Sequence, residues 1–593
     1  MSGIGKGITA SSIGVILKKN GYGVTAIKID PYLNQDAGTM SPYQHGEVYI
    51  LCDGGETDLD LGNYERFLQT NLNKDHNITS GKIYKSVLDK ERKGDYLGKT
   101  VQIVPHITNE IRDWIFMVTN KLSSSTQQNI DFCIIELGGT IGDMESLPYV
   151  EALRQMHHRD PDSMMFVHVS YLPILKSTKE VKTKPTQHSI KELRSLGIIP
   201  DIICLRCDKP LNNLEDKIIS KISNNCGVSE DSVIVMSDQT SIYKVPLLFD
   251  KFNIMKNIKR KFQDIINNVN KINTLKNWEN IANYLDECKI QKNNSDLNIA
   301  IIGKYTSLED SYLSLKHAIE HAGFHLNKTI NIDFIDASIY ENHSIYTYNY
   351  NPEATQKHRV NNAVYKSNPC LYKNLLKYNA IIIPGGFDKR GVRGMENVIS
   401  ICRNIKIPML GICLGMQLMV VELAKYKYNK PSANSMEFVS NKLELFDNDC
   451  CKNLYIIGMK KLNKNMGGSM RLGLKKTTIK QNTQVYDLYK KYDLVHHDEK
   501  DETNEIYINE RYRHRYEVNP DNVKLFDNSF VGNINDRQCI IELDKDEHPF
   551  YIGCQYHPEY QTYPFKPHPL FVGLLESGLA HNPTELIKKI YNE

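Results

Sequence analysis

The sequence predicts an α/β fold built on mostly parallel sheet, and three observations carry the prediction. Short apolar runs of strand length alternate with helical patterns throughout the 593 residues. Two glycine-rich turns open onto helices, "MSGIGKGITASSIGVILKK" at the start and "GICLGMQ" at 411–417. The chain is also too long for a single core, so two large domains or three smaller ones are expected.

The elements follow in order. Behind the first turn, residues 11–19 read as an amphipathic helix. "GYGVTAIKID", "IDFCIIELGG", "SMMFVHVSYL" and "PDIICLRCD" read as strands of one sheet. The polar stretch at 268–296 reads as a helical linker, and a fresh strand, "LNIAIIGKY", opens a second domain that contains "NAIIIPGG" and "IPMLGIC". The expected domains are therefore 1–267, a linker 268–296, and 297–593. Tyr/Asn/Lys-rich stretches around 340–367, 447–465 and 475–509 read as surface insertions without a periodic face to bury.

Composition narrows the function classes. A formal net charge of +3 with 24% charged residues gives no global field that would draw nucleic acid or a membrane surface. Anionic ligands must then be held by local clusters. Thirteen scattered cysteines suit a reducing, cytoplasmic location better than a disulfide framework. Cys204 and Cys207 have metal-like spacing but no second pair, so a metal site there is not expected. No apolar run of about 18 residues is present and no apolar signal segment opens the chain, so neither a membrane span nor a signal peptide is expected.

The second half carries a nucleophile pattern. In "GICLGMQ", Gly411 and Gly415 flank Cys413 between a strand and a helix, a turn that projects one side chain beside a helix N-terminus. "CQYHPE" supplies a base and its orienting carboxylate, His557 and Glu559, which on an extended segment face the same way. "PGGF" at 384–387 offers backbone N–H groups for an oxyanion. Each piece alone is ordinary, since a buried Cys is commonly an inert small hydrophobe. Together they resemble a class I, triad-type glutamine amidotransferase over about 297–593. That resemblance implies a triad of Cys413, His557 and Glu559, oxyanion or glutamine contacts from Gly386, Leu414 and Gln417, and a grip on the glutamine amino and carboxylate groups by Glu437 and Arg515.

Ammonia released to solvent would be protonated, so the first half should hold an electrophile that consumes it. Gly3, Gly5, Lys6, Gly7 and Thr9 form a phosphate-loop pattern. Asp60 and Glu136, read as lying near strand ends, suit Mg²⁺ held between phosphates, and Lys28 ends a strand on the same side. In "EVKTKPTQHSIKEL", Lys182 and Lys184 on an extended segment would share one face and clamp a triphosphate.

The stretches "DPYLNQDAGTMSPYQHGEVYILCDGGETDLDLGNYERF", "ERKGDYLGKTVQIVPHIT", "ELGGTIGDMESLPYVEALRQM" and "KTKPTQHS" closely resemble the CTP synthase family, nearly end to end. The fold this implies is a P-loop-type doubly wound parallel-sheet domain followed by a class I glutamine amidotransferase α/β domain. The implied reaction is ATP-dependent amination of UTP, with GTP as activator, CTP as inhibitor, and assembly into homotetramers and filaments. By the same resemblance, Gly3, Gly5, Lys6, Gly7, Ile8, Lys28, Asp60, Arg206 and Asp238 bind ATP. Ser2, Asp143, Glu145, Lys182, Lys184, Gln187 and Lys221 bind UTP or CTP, Asp60 and Glu136 hold Mg²⁺, and Arg390 belongs to a GTP-linked lid.

Members of that family carry an apolar strand and a Gly-Gly-Val-Val-Ser-type stretch ahead of the equivalent of Ser2. Losing so central a strand would cost about 10 kcal/mol of burial. The expectation is a natural polypeptide that begins upstream, with synthase activity depending on it. Two rival readings are another fused P-loop amidoligase, such as a cobyrinic acid a,c-diamide synthase, and a structural subunit of low activity. The first has no need of "KTKPTQ"; the complete set of Cys413, His557 and Glu559 argues against the second.

Overall fold

The computed structural model describes residues 3–125, 130–263, 275–341, 374–438, 455–458, 470–497, 505–526 and 528–581. Ser2 therefore lies outside the described residues, as do most of 340–367 and 447–465. The chain forms two compact units, Met1–Ala37 with Leu59–Asp286, and Gly38–Asp58 with Glu287–Glu593.

In the first unit, helix α1 (Lys6–Lys19) starts on Gly5, whose φ of 81° a side chain would resist. It begins earlier than the sequence suggested and is buried on most of its faces, from Gly7 through Leu17, rather than amphipathic. The expected single sheet is instead two parallel three-stranded sheets. One has the order β2-β1-β3, with β1 Val24–Asp30, β2 Asn77–Thr79 and β3 Phe132–Leu137. The other has the order β4-β5-β6, with β4 Val167–Tyr171, β5 Ile202–Cys207 and β6 Val233–Ser237. The edge strands β3 and β4 border one cavity of about 860 Å³. Ile27, Ile29, Ile111, Ile115 and Tyr149 form the core under β1. Helix α2 (Leu275–Ile290) buries Trp278 against Phe67 and Tyr243.

The second unit has a ten-stranded sheet whose first five strands run parallel, in the order β8-β7-β9-β10-β16, and continue antiparallel through β15-β14-β11-β13-β12. These are β7 Leu297–Gly303, β8 Ile330–Asp336, β9 Ala380–Ile383, β10 Met409–Ile412, β11 Arg471–Ile479, β12 His496–His497, β13 Ile506–His514, β14 Phe530–Ile534, β15 Arg537–Glu542 and β16 Tyr551–Cys554. Alternation of two residues splits β9 between faces: Ile381 and Ile383 join one core, Ala380 and Ile382 the other. Helices α3 (Leu313–Leu326) and α6 (Pro569–Ala580) cover the second face, while α4 (Val392–Ile405) and α5 (Leu414–Tyr426) cover the first.

Two expectations need correction here. The described residues of the third stretch, 475–497 and 505–509, are not a surface insertion: they supply part of β11, the helix Gln484–Lys491, β12 and the start of β13. Thr477, Val485, Tyr489 and Ile508 are all buried, and the Lys/Asn/Tyr bias hid their alternation. Residues 38–58, expected to belong with the first domain, pack into the second unit. Their antiparallel arms, Tyr49–Ile50 and Glu56–Thr57, are held by Arg511, which donates to the Ile50 carbonyl at 2.9 Å and to the Tyr49 hydroxyl at 3.1 Å.

Candidate active sites

In the second unit, β10 ends at Ile412 and α5 begins at Leu414, so Cys413 is the whole connection. Its φ of 53° and ψ of −100° lie outside the ordinary basins, a strain that a rigid surround must hold. The sequence allows it through glycine. A Cβ on Gly415 would overlap the Ile383 carbonyl oxygen, and one on Gly411 would overlap Met419 Sδ.

Cys413, His557 and Glu559 are all buried and lie in one cluster. A Cβ on Gly385 would sit 3.0 Å from His557 Cε1 and 3.5 Å from Cys413 Cβ, so one backbone position touches both. His557 Nδ1 meets Glu559 Oε1 at 2.7 Å. Glu559 reaches it from a 3-10 turn, Pro558–Gln561, not from the extended segment expected. Tyr560 stacks on the imidazole with centroids 5.1 Å apart. Burial disfavours the charged imidazole, but the Glu559 carboxylate and the adjacent Cys413 outweigh it and hold His557 up to about 10.

The loop Gly385–Asp388 lies against this group. Gly386 faces Lys304, Tyr305 and Leu414. The Phe387 N–H donates to the Tyr305 hydroxyl at 3.1 Å, while Lys304 Nζ donates to the Phe387 carbonyl at 3.1 Å and to that of Asp388. Burial pulls Lys304 down to about 8. Glu437, in the 3-10 turn Met436–Phe438, accepts from the Asp388 N–H at 3.3 Å, which puts it against the same loop, and Arg515 follows directly after β13. Gln417 is buried, its Nε2 donating to the Tyr516 carbonyl at 2.9 Å and to Gln555 Oε1 at 3.2 Å, with Oε1 unpartnered. Arg390 is fastened to Asp336 at 2.7 Å, to the Tyr43 hydroxyl and to the Lys304 carbonyl.

In the first unit, Lys28 on β1 pairs with Glu136 at 3.2 Å and with Asp60, and Tyr64 donates to Glu136. Asp60 stands in the first turn of the helix Leu59–Leu68, not at a strand end. A Cβ on Gly7 would overlap Asp60 Oδ1 and lie 3.4 Å from Glu136 Oε2, so both carboxylates converge beneath the glycine loop. Burial, with the neighbouring carboxylate charges, pushes Glu136 and Asp30 up against the opposing pull of Lys28. Burial also pulls Lys6 down, and its Nζ reaches the Gly139 carbonyl at 3.5 Å. Among the described residues no three His, Cys, Asp or Glu gather as a metal cage. Two hard carboxylates suit Mg²⁺, which takes few protein ligands and completes its shell with phosphate and water.

Gly5 stands against Arg206, which binds Asp238 at 2.5 Å. Gly3 has a φ of 73°, and Ile8 lies within α1. Asp143 accepts from the Thr140 N–H at 3.1 Å, and Glu145 is exposed. Lys184 opens the helix Lys184–Ser195 with Thr183 already helical, so "KTK" is not extended and the shared-face argument fails. Lys182 pairs with Glu180 at 2.7 Å, Gln187 donates to Thr183 at 3.2 Å, and Lys221 is exposed on the helix Glu215–Cys226.

Sequence reasoning missed Lys304, Tyr305, Arg513 and Gln555. Arg511 and Arg513 alternate along β13, with Arg515 just after its end, and Gln555 stands two before His557, so the two-residue period was available as a signal.

A strained cysteine turn on one α/β unit and a glycine loop over paired carboxylates on another fit a nucleotide-dependent ligase joined to a glutamine amidotransferase. The sequence matches the family described as CTP synthase N-terminus over residues 1–264 and that described as Glutamine amidotransferase class-I over residues 307–577. It is 44% identical over 582 residues to CTP synthase 2 of Homo sapiens, covering 97% of this chain and 91% of the relative. It is 42% identical over 601 residues to CTP synthase 2 of Saccharomyces cerevisiae, covering 100% of this chain and 97% of the relative. The chain belongs to the CTP synthase family, ligases that convert UTP to CTP with nitrogen from glutamine.

Proposed function

We propose that the second unit hydrolyses glutamine through Cys413, His557 and Glu559, and that the first consumes the ammonia at an ATP-phosphorylated UTP. The observation that carries this reading is the strained Cys413 beside a His557 oriented by Glu559 at 2.7 Å. His557 takes the thiol proton, the sulfur attacks the glutamine side-chain carbonyl, and the backbone N–H groups of Gly386 and Leu414 receive the oxyanion. The C–N bond breaks as His557 returns its proton to the leaving ammonia, and water then hydrolyses the thioester. Glu437 and Arg515 hold the amino and carboxylate groups of glutamine, and the unpartnered Gln417 Oε1 offers a further acceptor.

In the first unit, the loop Gly3, Gly5, Lys6, Gly7 and Ile8 takes ATP phosphates, with Arg206 and Asp238 near the adenine. Lys28 sits between phosphate and uracil oxygen. Lys182, Lys184, Gln187, Lys221, Asp143 and Glu145 serve UTP, or CTP as inhibitor, and Ser2 is assigned with them from the sequence. Asp60 and Glu136 would hold Mg²⁺, which when bound offsets charge on the phosphate oxygens. The uracil O4 takes the γ-phosphoryl group, ammonia adds at C4, and phosphate leaves. By family likeness, GTP acts beside Arg390, and the chain works in the cytoplasm as a homotetramer that extends into filaments.

The test is Cys413→Ala. Glutamine-dependent CTP formation is expected to fall by orders of magnitude, while ammonia-dependent synthesis persists. Unchanged glutamine-dependent activity would refute the triad.

A further inference from the structure

Gln555 is 1% exposed and follows β16 directly. Its side-chain Nε2 lies 3.6 Å from Cys413 Sγ. Strand pairing sets that spacing. Ile412 pairs with Cys554, the Cys413 N–H donates to the Cys554 carbonyl at 2.8 Å, and the Gln555 N–H donates to the Cys539 carbonyl at 2.8 Å.

The polarity of the Gln555 amide follows from its neighbours. The Tyr516 carbonyl can only accept, so the Gln417 group facing it at 2.9 Å must be Nε2. That same Nε2 faces Gln555 at 3.2 Å, which requires the acceptor oxygen of Gln555 on that side. The N–H side of Gln555 is therefore left for sulfur. On the other side, the Cys413 thiol donates to the Arg513 carbonyl at 3.6 Å.

These two contacts respond oppositely to ionisation. Once the sulfur loses its proton, the bond to the Arg513 carbonyl disappears and that oxygen faces a negative sulfur. The bond from Gln555 becomes charge-assisted, about twice as strong as a neutral one. We propose that Gln555 is a positioning residue for glutamine hydrolysis, its amide, fixed by Gln417, favouring and aiming the Cys413 thiolate. The inference rests on the reading of Cys413 as the nucleophile and adds a donor to it. No covalent step is added: the thiol proton still passes to His557.

The test follows alkylation of Cys413 by iodoacetamide across pH, by mass spectrometry of the full chain, beside kcat and KM for glutamine hydrolysis. Gln555→Met removes the donor without adding charge, and Gln555→Glu keeps the size and removes the donor at pH values where its carboxyl is ionised. In each, alkylation at pH 7 is expected to slow about tenfold or more, in line with a hydrogen bond to a charged group. The midpoint of the alkylation profile should move to higher pH, and kcat should fall with KM held within about twofold. A folded variant that keeps the parental profile overturns the proposal. The unmutated chain gives an independent reading: the Gln555 side-chain N–H resonance is expected to shift on alkylation of Cys413, and a fixed resonance overturns it as well. If alkylating Cys413 leaves glutamine hydrolysis intact, the nucleophile assignment itself fails. If alkylation abolishes hydrolysis while both variants keep the parental profile, only the role of Gln555 fails.

Discussion

Arg513 holds Glu56 at 2.9 Å, and both side chains are nearly buried. The pair ties the arm Glu56–Thr57 to β13 at the residue whose carbonyl accepts from the Cys413 thiol. Glu56→Ala would leave the Arg513 guanidinium buried without its counter-charge. The expected cost is about 3 kcal/mol or more, with a loss of glutaminase rate because the Arg513 carbonyl shifts. Urea denaturation and steady-state glutamine hydrolysis measure both, and an unchanged midpoint would show the pair to be dispensable.

Gly415→Ala tests the turn that carries Cys413. Its Cβ would overlap the backbone oxygen of Ile383, and that oxygen belongs to a central strand that cannot retreat. We expect a loss of about 3 kcal/mol in the second unit and no measurable glutaminase activity. Soluble, active Gly415→Ala protein would contradict the close approach of α5 to β9.

Two buried histidines set the acid limit of the second unit. Burial pulls His514 down to about 3 and His548 down to about 4. Both folded values lie below the ordinary 6.5, so the unfolded chain binds protons more readily. Their contribution is complete above about pH 6.5 and is lost as pH falls toward 3–4. Each histidine should remove about 1.4 kcal/mol per pH unit in that window. Urea midpoints that stay level between pH 7 and pH 4.5 would be inconsistent with this.

His557 behaves in the opposite sense. Its folded value of about 10 stands above 6.5, so its stabilisation is present below pH 6.5 and lost as pH rises through 10. Cys413→Ala removes one of the two neighbours that hold it up. The imidazole midpoint, followed by histidine-selective NMR, is expected to fall in that variant, while Glu559 keeps it above that of a free histidine.

The strand-turn-helix at Cys413 was legible because a glycine on each side of a single cysteine is a local constraint. His557 and Glu559 stand two apart in one short motif and meet at 2.7 Å, but the 3-10 turn that carries Glu559 was misread as extended because Pro558 is compatible with either. Asp60 was found by residue type but misplaced, because a helix N-terminus and a strand end look alike when the preceding residues are "GGETD". The strand and helix within 475–509 were obscured by Lys and Asn on the outward positions, although Thr477, Ile479, Ile508 and the buried Tyr489 mark the inward ones. Gln555 was written in the motif yet not weighed, since its role depends on Tyr516 and Gln417, residues remote in sequence. The placement of 38–58 was not readable at all. A hairpin names its own turn, but not the distant strand whose arginines will grip it.

That placement bears on how the polypeptide can be cut. A recombinant fragment beginning at the linker would carry Arg511 and Arg513 but not Tyr49, Ile50 or Glu56, and so would leave two guanidiniums without these partners. The second unit is thus encoded in two separated pieces of the chain, Gly38–Asp58 and Glu287–Glu593, and the shorter one supplies the counter-charge and hydroxyl that its arginines hold.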